Sequence, residues 1–438
     1  MIENLLETYK KIERKYNIIN VSNDFYNLTR SKDNDKIAIV RWYNCKESYS
    51  FYLLEKLLNY WNIDNTDNLY DPFLCVGTTL MSAQALNKKG FSFKKCIGTD
   101  INPFFTFVSK NKVNWFKNDL NNIKHLIEII PSNVNLNYRI PQLSTINNEK
   151  VFKKDILNEI LGFINIITSI KQKEKNLLLL GLSDIIEKMS GIRKDGRALR
   201  FKNNKQIPCF KEILYKKWES IIDDLEKAND FYKPIQSYIY TNDARKINHN
   251  IYKNNSIDLI MYSPPYLNNI DYSEVYKLEL WMLNFIKNKS EFYNLRKKTF
   301  RSHPSIKFND KPTLQKLINT STIKSTLQKL VENIPKNKNY NWRKRLYQQY
   351  YEDIYITLKR QHFILKKNGY IFLIIGNSLH GSGEEKIPIA TDLIISEISK
   401  EIGFNVSGIL ISRQLKRRNH NPETNYYLRE SIITLKKI

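Results

Sequence analysis

The chain is poor in residues that staple or coordinate. Four cysteines, Cys45, Cys75, Cys96 and Cys209, are spread over 438 residues, and none forms a C-x-x-C pair. The six histidines are equally scattered. A zinc knuckle needs such ligands closely spaced. No structural metal is therefore expected, and the thiols read as reduced and buried. Long apolar runs are missing too: none approaches the roughly 20 residues of a membrane helix, and mean hydropathy is −0.49. The N-terminus, MIENLLETYKKIERKY, places charged and apolar residues at helical spacing. It lacks the unbroken apolar core and small-residue cleavage site of a signal peptide. A cytoplasmic location without membrane association is expected. No internal repeat is evident.

Acidic residues are also few relative to basic ones, 44 Asp and Glu against 70 Lys and Arg, which leaves a net charge of +26. Such an excess self-repels unless it serves a polyanionic partner, and nucleic acid is the first candidate. The abundance of Lys, Asn and Ile throughout offers a purely compositional source of the same charge. Hydrophobic residues, at 42%, suffice for a substantial core. The length suits a core domain with insertions, or two domains.

What is present is an alternation of strands and helices. Residues 1–60 read as mostly helical, with a short extended piece at Lys36–Trp42. Asn68–Phe73 reads as a strand ending in Asp71-Pro72-Phe73, Thr78–Lys88 as a helix stopped by Gly90, and Lys95–Thr99 as a strand ending at Asp100. From about 105 to 235 helical periodicity dominates, as in Lys154–Ile170 and Asn176–Lys188. Tyr238–Tyr240 and Ser256–Met261 are further strands, followed by a helix over Tyr272–Phe285 with apolar residues at 275, 278, 282 and 285. Residues 286–345 carry 16 Lys and Arg against three acids, Glu291, Asp310 and Glu332. A helix over Tyr347–Leu365, an apolar strand at Tyr370–Ile375 and a helix over Ile387–Ile402 follow. Phe404–Arg413 and Ser431–Lys436 read as an antiparallel pair. This order predicts an open, mostly parallel sheet with helices on both faces, in which ligands bind beyond the carboxyl ends of the strands. Asp71, Asp100, Asp243, Ser263 and Asn377 all fall at such ends.

Four constellations carry chemistry. Asp71-Pro-Phe-Leu-Cys-Val-Gly77-Thr78-Thr79 is a strand, a tight turn and a helix start, where backbone approaches a ligand and amides face it. It is equally an ordinary turn capped by Thr78 or Thr79. Gly98-Thr-Asp100-Ile101-Asn-Pro places an acid about 20 residues after the glycine turn, where a carboxylate accepts the two hydrogen bonds of a ribose; otherwise Asp100 caps a helix. Asn242-Asp243-Ala-Arg245 suits an adenine amino group or a helix cap. In Ser263-Pro264-Pro265-Tyr266 the prolines fix φ and remove two donors. The Ser263 and Pro264 carbonyls then stay acceptors in a stiff loop, which suits an exocyclic amine. Tyr266 adds a face on which a planar base can stack. A plain rigid turn is the alternative.

These three motifs, D-P-F-x-x-x-G-T-T, G-x-D-I-N-P and S-P-P-Y, together resemble those of the S-adenosylmethionine-dependent amino-methyltransferases of DNA, which methylate N4 of cytosine or N6 of adenine. The resemblance covers roughly 40–118, 236–285 and 345–438. It implies a Rossmann-like class I methyltransferase: an α/β fold with a mostly parallel seven-stranded sheet, helices on both faces, and helical and basic insertions. On that pattern 1–118 holds N-terminal helices and the cofactor-binding half, and 236–285 the catalytic half. Residues 346–438 complete the core. The insertions 119–235 and 286–345 are then candidates for target recognition and DNA contact, through the runs Gly191–Arg200, Arg296–Arg301 and Trp342–Arg345.

The resemblance also implies site roles. Asp71, Phe73, Gly77 and Thr78 lie at the cofactor, Asp100 and Ile101 at its ribose, and Asp243 at its adenine. Asn44–Leu58 resembles the segment that closes over the cofactor, with Tyr49 and Ser50 as contacts. Ser263, Pro264, Pro265 and Tyr266 are the catalytic set, and Ser263 in the first position is similar to the cytosine-N4 branch. The implied partners are double-stranded DNA, with the target base flipped out, and a cognate restriction endonuclease. N6 of adenine, an RNA amine, and a non-catalytic DNA-binding protein are the alternatives. One departure stands out: the family's usual F-x-G-x-G is here Phe73-Leu-Cys75-Val-Gly77. A side chain at position 75 either points away from the cofactor or narrows its site.

Overall fold

The computed structural model describes residues 2–64, 66–130, 148–195, 199–202, 205–246, 252–268, 270–306, 308, 313–336, 340–381, 386–415 and 421–438. Within them run strands β1 (Ile18–Asn20), β2 (Asn68–Asp71), β3 (Lys95–Asp100), β4 (Ile192–Lys194), β5 (Leu199–Phe201) and β6 (Gln236–Thr241). These are followed by β7 (Ile257–Tyr262), β8 (Leu365–Gly376), β9 (Ser378–His380), β10 (Ile387–Ile389), β11 (Phe404–Gln414) and β12 (Arg429–Lys437).

Alternation along the strands assigns two cores. In β8, Ile371, Leu373 and Ile375 enter one buried cluster, and Phe372 and Ile374 enter the other. Successive side chains of a strand point to opposite faces. A strand apolar on both is therefore covered on both, as parallel sheets require. One cover is built from the helices Thr78–Lys88, Pro103–Val113, Lys154–Ser169, Lys175–Ile185 and Phe210–Phe231. The other is built from Ile2–Glu13, Tyr340–Ile364 and Thr391–Ile402. The 119–235 insertion thus shares the sheet's own core. Among the described residues no helix is long and apolar enough to cross a membrane.

The sheet has eight strands in the order β1-β11-β12-β8-β7-β2-β3-β6, where seven were expected. β12 is antiparallel to both neighbours, and every other pairing is parallel. This is a Rossmann-like α/β fold. The chain runs outward from β2 through β3 to β6, then returns to the opposite side of β2 as β7. That reversal opens a crevice at the carboxyl ends of β2 and β7.

The remaining corrections are local. The extra strand, β1, pairs with Ile409–Ile411 and is too short for alternation to reveal it. Lys36–Trp42 is not extended but forms two 3-10 turns. The Asp224 carboxylate takes the Ile39 backbone amide at 2.9 Å, a donor a strand would have used, and also the Trp42 indole N–H at 3.0 Å. The predicted helix Ile387–Ile402 begins only at Thr391, because Pro388 belongs to β10, paired with β9. The helix after Ser263-Pro-Pro-Tyr266 breaks at Tyr276 into Tyr272–Val275 and Lys277–Met282. Gly191–Arg200 holds the two strands of the β4–β5 ribbon, and its positions 196–198 lie outside the described residues.

Asn377 does not face the crevice. Its amide donates to Asp392 at 2.8 Å, inside a buried network where Arg429 Nε and Ser431 Oγ each reach Asp392 at 2.8 Å. Arg429 is 0% exposed and also donates to Glu13 at 2.9 Å. Replacing it strips a buried carboxylate of its counter-ion. Arg429→Leu should lose about 3–5 kcal/mol, read as a fall in the urea midpoint at unchanged m-value.

Candidate active site

β2 ends at Asp71, which is 1% exposed. Its Oδ1 accepts the Phe73 amide at 2.9 Å, and its Oδ2 accepts the Tyr49 hydroxyl at 3.3 Å and a short bond from Thr79 Oγ1. Burial pushes the carboxyl up to about 7, against the pull of these donors and with the repulsion of Asp100 added. Asp100 ends β3, and burial lifts it to about 6. Its Oδ1 accepts the Asn102 amide at 2.8 Å and its Oδ2 the Cys75 amide at 2.9 Å. The second bond ties the β2 turn to the tip of β3.

Cys75 takes φ +48°, the left-handed conformation a glycine would supply, at a cost of roughly 1–2 kcal/mol. Its thiol turns toward Cys45, with the sulfurs 3.3 Å apart. The backbone therefore does what glycine does, and Cys75 itself forms part of the cavity lining. Cys45 and Cys96 are buried as expected, Cys75 is half-buried, and Cys209 is exposed.

Gly77, at φ +84°, precedes the helix Thr78–Lys88, and no side chain caps it. A Cβ there would stand 3.3 Å from Ser109 Cβ and Val113 Cγ2, so the glycine serves close helix packing. Thr78 Oγ1 is buried, and among the described residues nothing bonds it. Neither threonine is a cap: Thr79 turns to Asp71 instead. Gly77, Thr78 and Ser50 stand behind the cavity wall and do not line it.

The cavity at the crevice measures about 600 Å³, within the usual range for a ligand site. Asp100, Ile101, Phe73 and Tyr49 line one end, and Ser263, Pro265 and Tyr266 the other. Phe73 stacks on Tyr262 at 5.3 Å and meets Phe300 edge-on at 5.6 Å. Asp243 also lines the cavity, but both its oxygens are held by Arg245 at 2.9 Å, whose guanidinium bonds Asp353 as well. Pro264 is buried. Among the described residues none donates to its carbonyl, whereas that of Pro265 accepts from Tyr350 at 3.2 Å. The exposed Arg30, Lys32, Lys46 and Lys298 form a basic rim over this acidic floor.

Lys298, Thr299 and Phe300 of the Arg296–Arg301 run in the basic insertion line the cavity, and beside them stand Ser302 and His303, which carried no sequence signal. Within that insertion Arg296 and Arg301 are not free cations: Arg296 is paired with Asp271 and Glu274, and Arg301 with Asp353 and Glu352. In the other insertion Lys194 is drawn inward to Glu279 and lies 4.2 Å over the Tyr276 ring. Trp342–Arg345 lies half-buried to exposed on the helix Tyr340–Ile364. Glu430 and Arg413, from β12 and β11, close the Tyr266 end of the cavity. Their only clue would have been the strand pairing itself.

No family model matches the chain. Two curated proteins are similar in sequence. The type II methyltransferase M.BsoBI of Geobacillus stearothermophilus is 27% identical over 318 residues, covering 64% of this chain and 60% of that protein. The type II methyltransferase M.AvaI of Nostoc sp. is 23% identical over 407 residues, covering 85% of this chain and 80% of that one. Among solved structures, a SAM-dependent methyltransferase from Methanosarcina mazei overlaps with a TM-score of 0.30 at 8% identity, covering 87% of this chain and 97% of that one. The rRNA methyltransferase aviRa from Streptomyces viridochromogenes gives 0.30 at 10% identity, covering 87% and 81%. Overlaps this loose add nothing to the strand order.

Asp71 holds its proton more tightly folded than unfolded, where its ordinary value is 3.8. Folding then takes up a proton between pH 4 and 7, and this contribution to stability declines as pH rises through that window. Asp71→Asn removes the effect. Relative to wild type, the variant should be more stable at pH 8 than at pH 5, by thermal unfolding of both proteins at each pH.

Proposed function

We propose that the chain transfers a methyl group from S-adenosylmethionine to the exocyclic N4 amine of cytosine in double-stranded DNA, within a restriction–modification system of the cytoplasm. The observation that carries this reading is one cavity joining Phe73 of the β2 turn and Asp100 at the β3 end to Ser263, Pro265 and Tyr266; Asp71 and Pro264 lie behind its wall. The similarity to two type II methyltransferases supports the transferase class, and a cognate endonuclease is the partner it suggests.

The residues fit the cofactor. Asp100 offers a half-buried carboxylate for ribose hydroxyls, Asp71 stands behind the wall and braces Tyr49 and the β2 turn, and Phe73 and Ile101 give apolar walls. Asp243 meets the adenine with the lone pairs that Arg245 leaves. Tyr49 braces Asp71 from the segment that closes over the site. Gly77 and Thr78 shape the turn from behind. When bound, the cofactor supplies an electrophilic methyl group.

The chain does the rest. The rim cations hold phosphates, and Tyr266 offers a stacking face worth about 1–3 kcal/mol, which offsets the cost of flipping the base. The Ser263 hydroxyl and the Pro264 carbonyl accept hydrogens from the amine and aim its lone pair. Pro265 keeps the loop stiff. No enzyme nucleophile is required.

Labelled S-adenosylmethionine, mixed-sequence DNA and digestion to nucleosides test the reading. N4-methylcytosine is expected. N6-methyladenine alone would move the target to adenine, methylated RNA with unmodified DNA would move the substrate, and no product at all would sink the proposal. By calorimetry, Asp100→Ala should weaken cofactor binding about 10- to 100-fold, the worth of hydrogen bonds to a charged group. Wild-type affinity should also fall as pH drops through about 6, where Asp100 takes up its proton.

A further inference from the structure

Three side chains beyond the Pro-Pro turn line up in one direction. Ser263 Oγ donates to the Tyr266 hydroxyl at 3.2 Å, Tyr266 donates to Glu430 Oε1 at 2.9 Å, and Glu430 Oε2 accepts from Arg413 Nε at 2.6 Å. The sheet register builds this row. Glu430 faces Gly376 on β8 and Arg413 on β11, so the three positions share one rung at the carboxyl end of the sheet. Gly376 is what lets Tyr266 reach it: a Cβ there would stand 2.7 Å from the ring. Glu430 is 3% exposed yet lines the cavity.

The direction matters. A serine hydroxyl has one proton to give and lone pairs to offer. With its proton spent on Tyr266, Ser263 can only accept from whatever lies in the cavity. The end of the row is an anion, so each bond is polarised away from the site.

We propose that Ser263, Tyr266 and Glu430 form a proton relay, with Glu430 as its terminal base. This rests on the amine-methylation reading above. As the amine nitrogen bonds the methyl carbon, the carbon–sulfur bond breaks, its electron pair stays on sulfur, and the nitrogen becomes cationic. The nitrogen then loses a proton to Ser263 Oγ, Ser263 passes its own to Tyr266, and Tyr266 passes its own to Glu430. Serine, tyrosine and methylated amine end neutral, and Glu430 ends as a carboxylic acid that solvent later deprotonates. Arg413 donates to the far oxygen of Glu430 and leaves Oε1 to Tyr266. The groups facing Glu430 are Arg413, Tyr266 and Tyr272, and the buried phenols hold their protons well above the ordinary range.

Two variants test it. Glu430→Gln removes the base, and Tyr266→Phe cuts the middle while keeping the ring. Each should lower kcat about 100-fold, the usual scale for a general base, and the double variant should lose no more than either single. Cofactor affinity by calorimetry, and base flipping by 2-aminopurine fluorescence, should stay within twofold of wild type. Wild-type kcat in Glu430→Gln would overturn the relay alone, as would multiplicative losses in the double variant. A loss confined to flipping or cofactor affinity would make Glu430 a brace for Tyr266 and overturn it too. A wild-type protein that methylates no nucleic acid would overturn the relay together with the reading beneath it.

Discussion

Strand β2 is paired in parallel on both edges, with β3 on one side and β7 on the other, and the site follows from that placement. The chain leaves β2 in one direction and comes back on the other side. Asp71, Asp100 and Ser263 are far apart in sequence, yet they sit at adjacent strand ends above one crevice. Parallel pairing also buries both faces of the central strands, so polar groups gather at the strand ends. There burial raises the carboxyls of Asp71 and Asp100 toward neutrality.

The basic surplus has two uses. Part of it is spent inside the fold. Lys112 is buried and donates to the Val40 and Tyr43 carbonyls at 2.7 Å, and burial lowers it to about 7. Arg245, Arg301 and Arg429 answer buried acids. Another part lies exposed at the rim of the cavity, in Arg30, Lys32, Lys46 and Lys298. Net charge counts both alike, which is why composition alone names a polyanionic partner but not the surface that meets it.

Much of this was legible before any coordinates. The apolar runs of β7 and β8 and the turn residues around Gly77 and Gly90 mark a parallel α/β sheet. The acids at strand ends mark its ligand edge. Short elements were not legible: three residues at Ile18–Asn20 hold no period, and Pro388 could be weighed only against a helix that began too early. The substitution of Cys75 for glycine was visible, but not its outcome. Whether the chain bends or the site narrows depends on whether Asp100 waits for the amide and Cys45 leaves room for the sulfur.

Sequence by itself determined the alternation of the long strands and helices of the core, the acids that end β2 and β3, and the Ser263-Pro-Pro-Tyr266 turn, because local spacing and proline chemistry are written along the chain. Only the tertiary structure decided what stands behind that turn. Glu430 lies 164 residues from Tyr266, and Arg413 reaches it from another strand. Their convergence depends on the antiparallel register of β12 against β8 and β11. Register is a property of paired strands, and a single strand does not carry it.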